Sequence, residues 1–234
     1  MNGKLFGLGI GPGDPDLITI KALKILQSAD VVAYPALEDG DSLARAIVAS
    51  HLTSDQPEYA IRIPMSVKRA PAQTAYDRAA ADLATMLQEG KNVAVLCEGD
   101  PFFYGSFMYL FGRLSDQFET EVIPGVSSIT TCAAALQAPL SARNDILTVL
   151  PAPLDDDALK SRIEAADSIA LMKIGRHFDR IRALIDGMGL TDKARYIERA
   201  SMENQKILPL ADVPADAAPY FSMILIHKRG QAWD

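Results

Sequence analysis

Short apolar runs rich in β-branched residues recur along this chain, each ending abruptly in glycine, proline or a polar turn and most followed by helical spacing. Lys4–Gly9 is the first run, and Ile18–Ser28 follows with apolar residues at Ile18, Leu23, Ile25 and Leu26, which predicts a strand and then a helix. The same reading predicts strands at Ala29–Pro35, Ala60–Pro64, Val93–Cys97 and Thr120–Ile123. The helices expected between and after them are Ser42–His51, Ala72–Glu89 closed by Gly90, Phe107–Leu114 and Ile129–Leu136. Further along, strands are expected at Asp145–Leu150, Ser168–Met172, Arg195–Ile197 and Phe221–Ile226, with helices at Asp156–Ala165 and Phe178–Met188. Runs without polar alternation suit parallel strands covered by helices on both faces, so the fold class is α/β. Phe221–Ile226 has no helical signal after it and reads as an antiparallel edge or hairpin member. The short polar stretch Asp116–Glu119 is the expected domain junction.

The chemistry is concentrated where the strands stop. Val93–Cys97 empties into Glu98-Gly99-Asp100-Pro101-Phe102-Phe103-Tyr104-Gly105, and in open α/β sheets such carboxyl ends are where ligands bind. Gly99 lets backbone come close and Pro101 stiffens the turn. A carboxylate at Asp100 repels phosphate but can accept from a ribose diol or an amine, or favour a cation; equally, it can bond its own backbone or cap the next helix. The first strand opens into a second version, Gly9-Ile-Gly11-Pro12-Gly13-Asp14-Pro15. A dinucleotide fingerprint would need glycine where Asp14 stands, and Pro12 lacks the donor a pyrophosphate wants; no Gly-x-x-x-x-Gly-Lys loop occurs. Thr120–Ile123 runs through Pro-Gly into Ser127 and Ser128, which can cap the helix or face a ligand, and no Gly-x-Ser-x-Gly surrounds them. Tyr34 ends its strand, able to face the site or simply to cover the sheet end. Arg62, Lys68 and Arg69 form a small basic cluster, a solvated surface unless an acidic substrate uses it.

Composition narrows the partners. The chain has 234 residues, 49% of them hydrophobic, enough for one large domain or two modest ones. A net charge of −7 argues against a nucleic-acid surface or an anionic membrane, so an anionic small molecule would need a local basic cluster. No run is long enough to span a bilayer and no leader is recognisable, so a cytoplasmic protein is expected. Cys97 and Cys132 read as small core residues, and His51, His177 and His227 are scattered without ligand spacing, so no metal is expected.

Taken in order, Gly9-Ile-Gly-Pro-Gly-Asp-Pro15, Gly99-Asp-Pro-Phe-Phe-Tyr-Gly105 and Ile123-Pro-Gly-Val-Ser-Ser128 resemble the tetrapyrrole methylase family of S-adenosylmethionine-dependent methyltransferases. Within it, Phe102–Phe111 and Ile197-Glu-Arg-Ala-Ser-Met-Glu-Asn204 look like the branch that methylates C20 of precorrin-2, metal-free or carrying cobalt, in cobalamin synthesis. The resemblance implies a class III methyltransferase with two α/β domains, 1–117 on the tetrapyrrole side and 118–234 sharing the S-adenosylmethionine site in the cleft between them, and a homodimer. It implies cofactor contacts at Pro12, Gly99, Asp100, Phe103, Ser127, Ser128, Met172 and Ala200, with Glu198 and the backbone of Ile224–Ile226 nearby. Phe103 departs from the smaller aliphatic residue of siblings. Asp14, Tyr34, Arg62, Lys68, Arg69, Tyr104, Arg113 and Arg143 are the corresponding substrate candidates. No acid-base residue is identified, because methyl transfer from a sulfonium to an enamine-like carbon mainly demands alignment in a closed site. Rival classes are a nucleotide-dependent oxidoreductase, a non-catalytic adenosine-ligand sensor and an RNA methyltransferase, the last disfavoured by the acidic charge.

Overall fold

The computed structural model describes residues 1–64, 69–230 and 232–233. The chain forms two compact units, Met1–Ser127 and Ser128–Asp234. In the first, β1 (Leu5–Gly9), α1 (Ile20–Ser28), β2 (Val31–Leu37), α2 (Leu43–Val48), β3 (Glu58–Ile63), α3 (Arg69–Gln88), β4 (Val93–Cys97), α4 (Phe107–Leu114) and β5 (Thr120–Ile123) alternate along the chain. The strands make a wholly parallel sheet in the order β3-β2-β4-β1-β5. Alternation along β4 explains its uninterrupted apolar run. Val93, Val95 and Cys97 pack with Tyr76 and Leu83 of α3 and Leu110 of α4, while Ala94 and Leu96 pack with Leu26 of α1 and Ile47 of α2 on the other face. Gly7 of β1 is required by the first of these layers, since a Cβ there would lie 2.3 Å from the Phe107 ring.

Local chemistry sets the helix starts. Thr19 accepts from the Ala22 N–H at 3.2 Å to cap α1, and Ser42 accepts from Arg45 N–H at 3.1 Å to cap α2. The junction expected at 117/118 lies inside the first unit, because β5 after it pairs with β1. β2 runs on to Leu37, which makes Tyr34 a mid-strand core residue rather than a strand-end one.

The second unit contains α5 (Ser128–Ala135), β6 (Leu147–Pro151), α6 (Asp156–Ala165), β7 (Ser168–Met172), α7 (Phe178–Gly187), β8 (Ala194–Glu198), β9 (Lys206–Pro209) and β10 (Ser222–His227). Its sheet is mixed, ordered β6-β7-β10-β8-β9, with only β6 and β7 parallel. β10 is antiparallel as expected, yet it is central rather than at an edge, and all six of its residues are buried. Ile224 and Ile226 face a layer containing Ile163, Phe178 and Ile181, whereas Met223 and Leu225 face Ile129 and Cys132 of α5. Behind β10, the Arg229 guanidinium pairs with both Asp145 oxygens at 2.7 and 2.9 Å, and His227 Nε2 lies 3.1 Å from Oδ2. Arg229, with the Ala142 N–H and His227, holds the Asp145 carboxyl well below the usual range. Cys97 and Cys132 are buried and unpaired, their thiols pushed up to about 11 and about 12 by desolvation. No helix among the described residues is long and apolar enough to cross a membrane.

Candidate functional site

Parallel pairing sends the loops after β4, β1 and β5 out of the same sheet edge, and glycine lets their backbones interlock. Gly99 donates its N–H to the Gly11 carbonyl at 2.8 Å, with the reciprocal contact at 3.4 Å, an isolated bridge formed with both residues at positive φ (67° and 81°). The third loop lies on this bridge. A Cβ on Gly125 would sit 2.1 Å from the Gly99 oxygen, and one on Gly9 would sit 2.4 Å from the Gly125 nitrogen. Asp100 completes the lacing: Oδ1 accepts from Phe102 N–H at 2.9 Å and Oδ2 from Gly125 N–H at 3.1 Å. Of the two roles open to Asp100 in the sequence, the turn-forming one is therefore present, and it extends to a neighbouring loop. Each oxygen retains lone-pair capacity for a further donor.

Beyond Asp100 the loop presents aromatic rings. Phe102 packs edge-to-face on Phe111 at 5.0 Å, while Phe103 and Tyr104 contact each other edge-to-face at 5.3 Å and stay 37% and 43% exposed. Tyr104 holds φ of 56°, unusual for a side chain of its size. Gly105 closes the turn, since a Cβ would fall 2.5 Å from the Pro101 oxygen and 2.8 Å from Cys97 Sγ. Glu98, at the entrance to this loop, is half-buried; desolvation raises its carboxyl, offset in part by its own N–H and that of Ala44.

The remaining candidates divide by unit. Pro12 is buried in the first loop, and Asp14 accepts from Asp16 N–H at 2.9 Å to cap the turn Pro15–Leu17. Tyr34 is 9% exposed, its hydroxyl raised first by burial and then by Glu58. The Arg62 guanidinium donates to the carbonyls of Leu37 and Gly40 at 2.9 and 2.8 Å. Arg113 donates to Asp77 and Tyr109 O, both at 2.8 Å, and to Gln73 at 3.0 Å. Lys68 lies outside the described residues, as does the side chain of Arg69. Ser127 ends the first unit and Ser128 opens α5. In the second unit Met172 ends β7 opposite Met223, and Ala200 belongs to the same apolar layer; Arg143 is exposed with φ of 52°.

Ahead of Ala200, the buried Glu198 accepts from the Tyr196 hydroxyl at 2.8 Å and pairs with Arg199 at 3.2 Å. Arg199 and Ser201 both adopt positive φ, 48° and 67°, so the turn after β8 is strained on either side of Ala200. Gly11 and Gly125 were not singled out in the sequence although they make the lacing; the signal was glycine two residues past a strand end. Among the described residues no group of three or more His, Cys, Asp or Glu could hold a metal ion.

The profile of the family Tetrapyrrole (Corrin/Porphyrin) Methylases matches residues 4–214. The cobalamin biosynthesis protein CobIJ of Mycobacterium tuberculosis is 39% identical over 96% of the chain, which spans only 46% of that protein. The precorrin-2 C(20)-methyltransferase of a Sinorhizobium species is 38% identical, with 96% of this chain and 95% of that one aligned. The cobalt-precorrin-2 C(20)-methyltransferase of Salmonella typhimurium is 34% identical, with 98% of each covered. Among solved structures, the cobalamin biosynthetic enzyme cobalt precorrin-4 methyltransferase, CbiF, superposes with a TM-score of 0.74 at 25% identity, covering 97% of this chain and 96% of that one. A uroporphyrin-III C-methyltransferase from Thermus thermophilus, solved with S-adenosylhomocysteine, shares the fold with a TM-score of 0.67 at 18% identity, covering 97% and 92%.

Proposed function

The chain belongs to the tetrapyrrole (corrin/porphyrin) methylases, and from that premise we propose that it transfers a methyl group from S-adenosylmethionine to C20 of precorrin-2, giving precorrin-3A in cobalamin synthesis. The observation that carries this reading is the 38% identity to the Sinorhizobium precorrin-2 C(20)-methyltransferase over nearly the whole of both chains. A cobalt-bearing substrate is the second reading, favoured by the Salmonella relative at 34% identity.

The loop chemistry fits the donor. Three glycine loops without a lysine, two of them carrying a carboxylate at Asp14 and Asp100, suit hydroxyls and a cationic group better than a phosphate. When bound, S-adenosylmethionine supplies an electrophilic methyl on a sulfonium. In this reading Pro12, Gly99, Asp100, Phe103, Ser127 and Ser128 of the N-terminal unit hold it, together with Met172 and Ala200 of the C-terminal unit. Asp100, already fixed by two backbone donors, orients hydroxyls without reorganising, and the exposed Phe103–Tyr104 pair excludes water from the reacting carbon. The N-terminal unit takes the tetrapyrrole and the C-terminal unit shares the donor; the protein works in the cytoplasm and as a homodimer, and light scattering on the purified chain tests the dimer.

The deciding experiment is an anaerobic mass-resolved assay with S-adenosylmethionine and precorrin-2, with and without inserted cobalt. Gain of one methyl at C20 in either form supports the reading and selects the substrate. No gain in both, with the donor bound, would sink it.

A further inference from the structure

Ser168 begins β7 and stands opposite His227 of β10, while Leu225 of β10 stands opposite both Ala170 of β7 and Arg195 of β8. Paired residues share a sheet face and every second residue returns to it, so Ser168, Arg195 and His227 all project on the side of Leu225. α5 packs on that same side, since Ile129 and Cys132 belong to one apolar layer with Ala170 and Leu225. The chain after α5 then closes over this end: Ala138, Pro139 and Leu140 wall a small pocket whose polar side chains are Ser168, Arg195 and His227. All of these residues lie in the C-terminal unit, at the end of β7 away from Met172.

The imidazole in this pocket is only half served. Its Nε2 lies 3.1 Å from Oδ2 of the ionised Asp145, which can only accept, so the Nε2 proton is committed there. Nδ1 is buried without a hydrogen-bond partner, on a residue 7% exposed. On the neutral ring it is a lone pair that calls for a donor. Arg195 calls for the opposite: half-buried, its guanidinium makes no hydrogen bond or ion pair among the described residues. The Ser168 hydroxyl reaches the Ile226 carbonyl only at 3.4 Å and keeps its own acceptor capacity. Asp145, behind His227, is paired with both arms of Arg229 at 2.7 and 2.9 Å, which offsets its charge toward the pocket.

We propose that this pocket binds a small oxyanion that keeps one hydroxyl, the class of hydrogenphosphate and hydrogencarbonate, its O–H donating to His227 Nδ1 and a charged oxygen accepting from Arg195. The two demands select the ligand together. A fully deprotonated oxyanion offers Nδ1 no proton, and a water leaves Arg195 without a counter-charge. Size agrees, because the cavity of about 10 Å³ has room for one oxygen. The hydroxyl is held inside and the charged oxygens stay at the half-buried guanidinium. Such a ligand ties β7, β8 and β10 together at this end of the sheet, and its binding does not depend on the methyl-transfer chemistry proposed above.

The test titrates the full chain at neutral pH with inorganic phosphate, hydrogencarbonate and sulfate at matched ionic strength, read by calorimetry, and follows the His227 ring nitrogens by nitrogen-15 NMR. At least one hydroxyl-bearing anion binds with a dissociation constant of about 1 mM, sulfate binds at least about tenfold more weakly, and the Nδ1 resonance moves only with the former. The tighter of phosphate and hydrogencarbonate identifies the member of the class. R195Q weakens it about tenfold, R195K keeps part of the affinity, and K160Q, an exposed control on α6, changes nothing. H227Q, whose amide can still donate to Asp145, loses the preference over sulfate, with its thermal midpoint in anion-free buffer reporting on folding. If H227Q does not fold, the wild-type Nδ1 shift and the R195Q titration decide the same question. Equal affinity for sulfate and the hydroxyl-bearing anions would overturn the proposed ligand class. No binding of any of them up to about 100 mM, with the Nδ1 resonance unmoved, would mean that water alone fills the pocket and would overturn the site.

Discussion

The two units finish their sheets in opposite ways. At the carboxyl edge of the N-terminal sheet three neighbouring parallel strands release three loops together, and backbone meets backbone through Gly11, Gly99 and Gly125. In the C-terminal sheet β7 and β10 are antiparallel, so the loop leaving one strand meets the segment leading into the other, and the surface they make consists of side chains. Parallel pairing brings together motifs that are each local in sequence. Antiparallel return brings together residues such as Arg176 and Tyr220 that share no motif at all.

The sharpest way to break this contrast is Gly125→Ala. Its Cβ would meet the Gly99 oxygen at 2.1 Å and the Gly9 carbonyl carbon at 2.8 Å, and backbone on both sides has no rotamer to swing away. A loss of about 3 kcal/mol is expected, read by urea unfolding, together with loss of donor binding. Wild-type stability would mean that the loops can separate freely and that the interlock does not organise the site.

Tyr196→Phe is the counterpart in the C-terminal unit. Tyr196 is fully buried, and its hydroxyl serves the Glu198 carboxylate at 2.8 Å, so removing it leaves one oxygen of a buried acid short of a donor. The expected cost is about 2 kcal/mol, with Arg199 shifting onto the vacated oxygen and the turn around Ala200 losing hydrogen-exchange protection. An unchanged unfolding midpoint would show that water already serves Glu198.

Asp100→Asn separates lacing from ligand binding. The amide oxygen can keep the Phe102 bond, but an NH2 in place of Oδ2 faces the Gly125 N–H donor to donor. Stability should fall by about 1 kcal/mol. If donor affinity falls by no more than that loss explains, Asp100 acts only by shaping the loop. A larger loss in affinity assigns it a direct contact.

How much of this could be read in the sequence follows the same divide. The N-terminal strands and helices were legible because β1, β2 and β4 are almost wholly apolar, β4 being buried throughout, and the loops after β1, β4 and β5 carry glycine and proline. The junction was misplaced because Asp116–Glu119 is polar, whereas strand pairing keeps Thr120–Ile123 in the first sheet. β10 looked like an edge because no helix follows it, and position in a mixed sheet depends on partners elsewhere in the chain. β9, Lys206–Pro209, escaped notice because its four residues are largely exposed and carry no periodicity. The pocket of Ser168, Arg195 and His227 was passed over for a plainer reason: its residues sit on three strands and become neighbours only after folding.

The basic residues give the smallest and most discriminating comparison. Arg62 looked like a carboxylate anchor, but its Nη1 already donates to Leu37 and Gly40 carbonyls, closing the turn between β2 and α2. Arg113 is likewise engaged by Asp77, Tyr109 and Gln73. A guanidinium that holds its own chain can turn to a substrate only by giving up those bonds, so Arg62→Gln should cost less than about 1 kcal/mol, since water can serve the exposed carbonyls. Affinity for uroporphyrin III, a stable porphyrin polycarboxylate, should then change by less than about twofold. If R62Q weakens the porphyrin about tenfold, the Arg62 guanidinium reaches the substrate at the expense of its own chain.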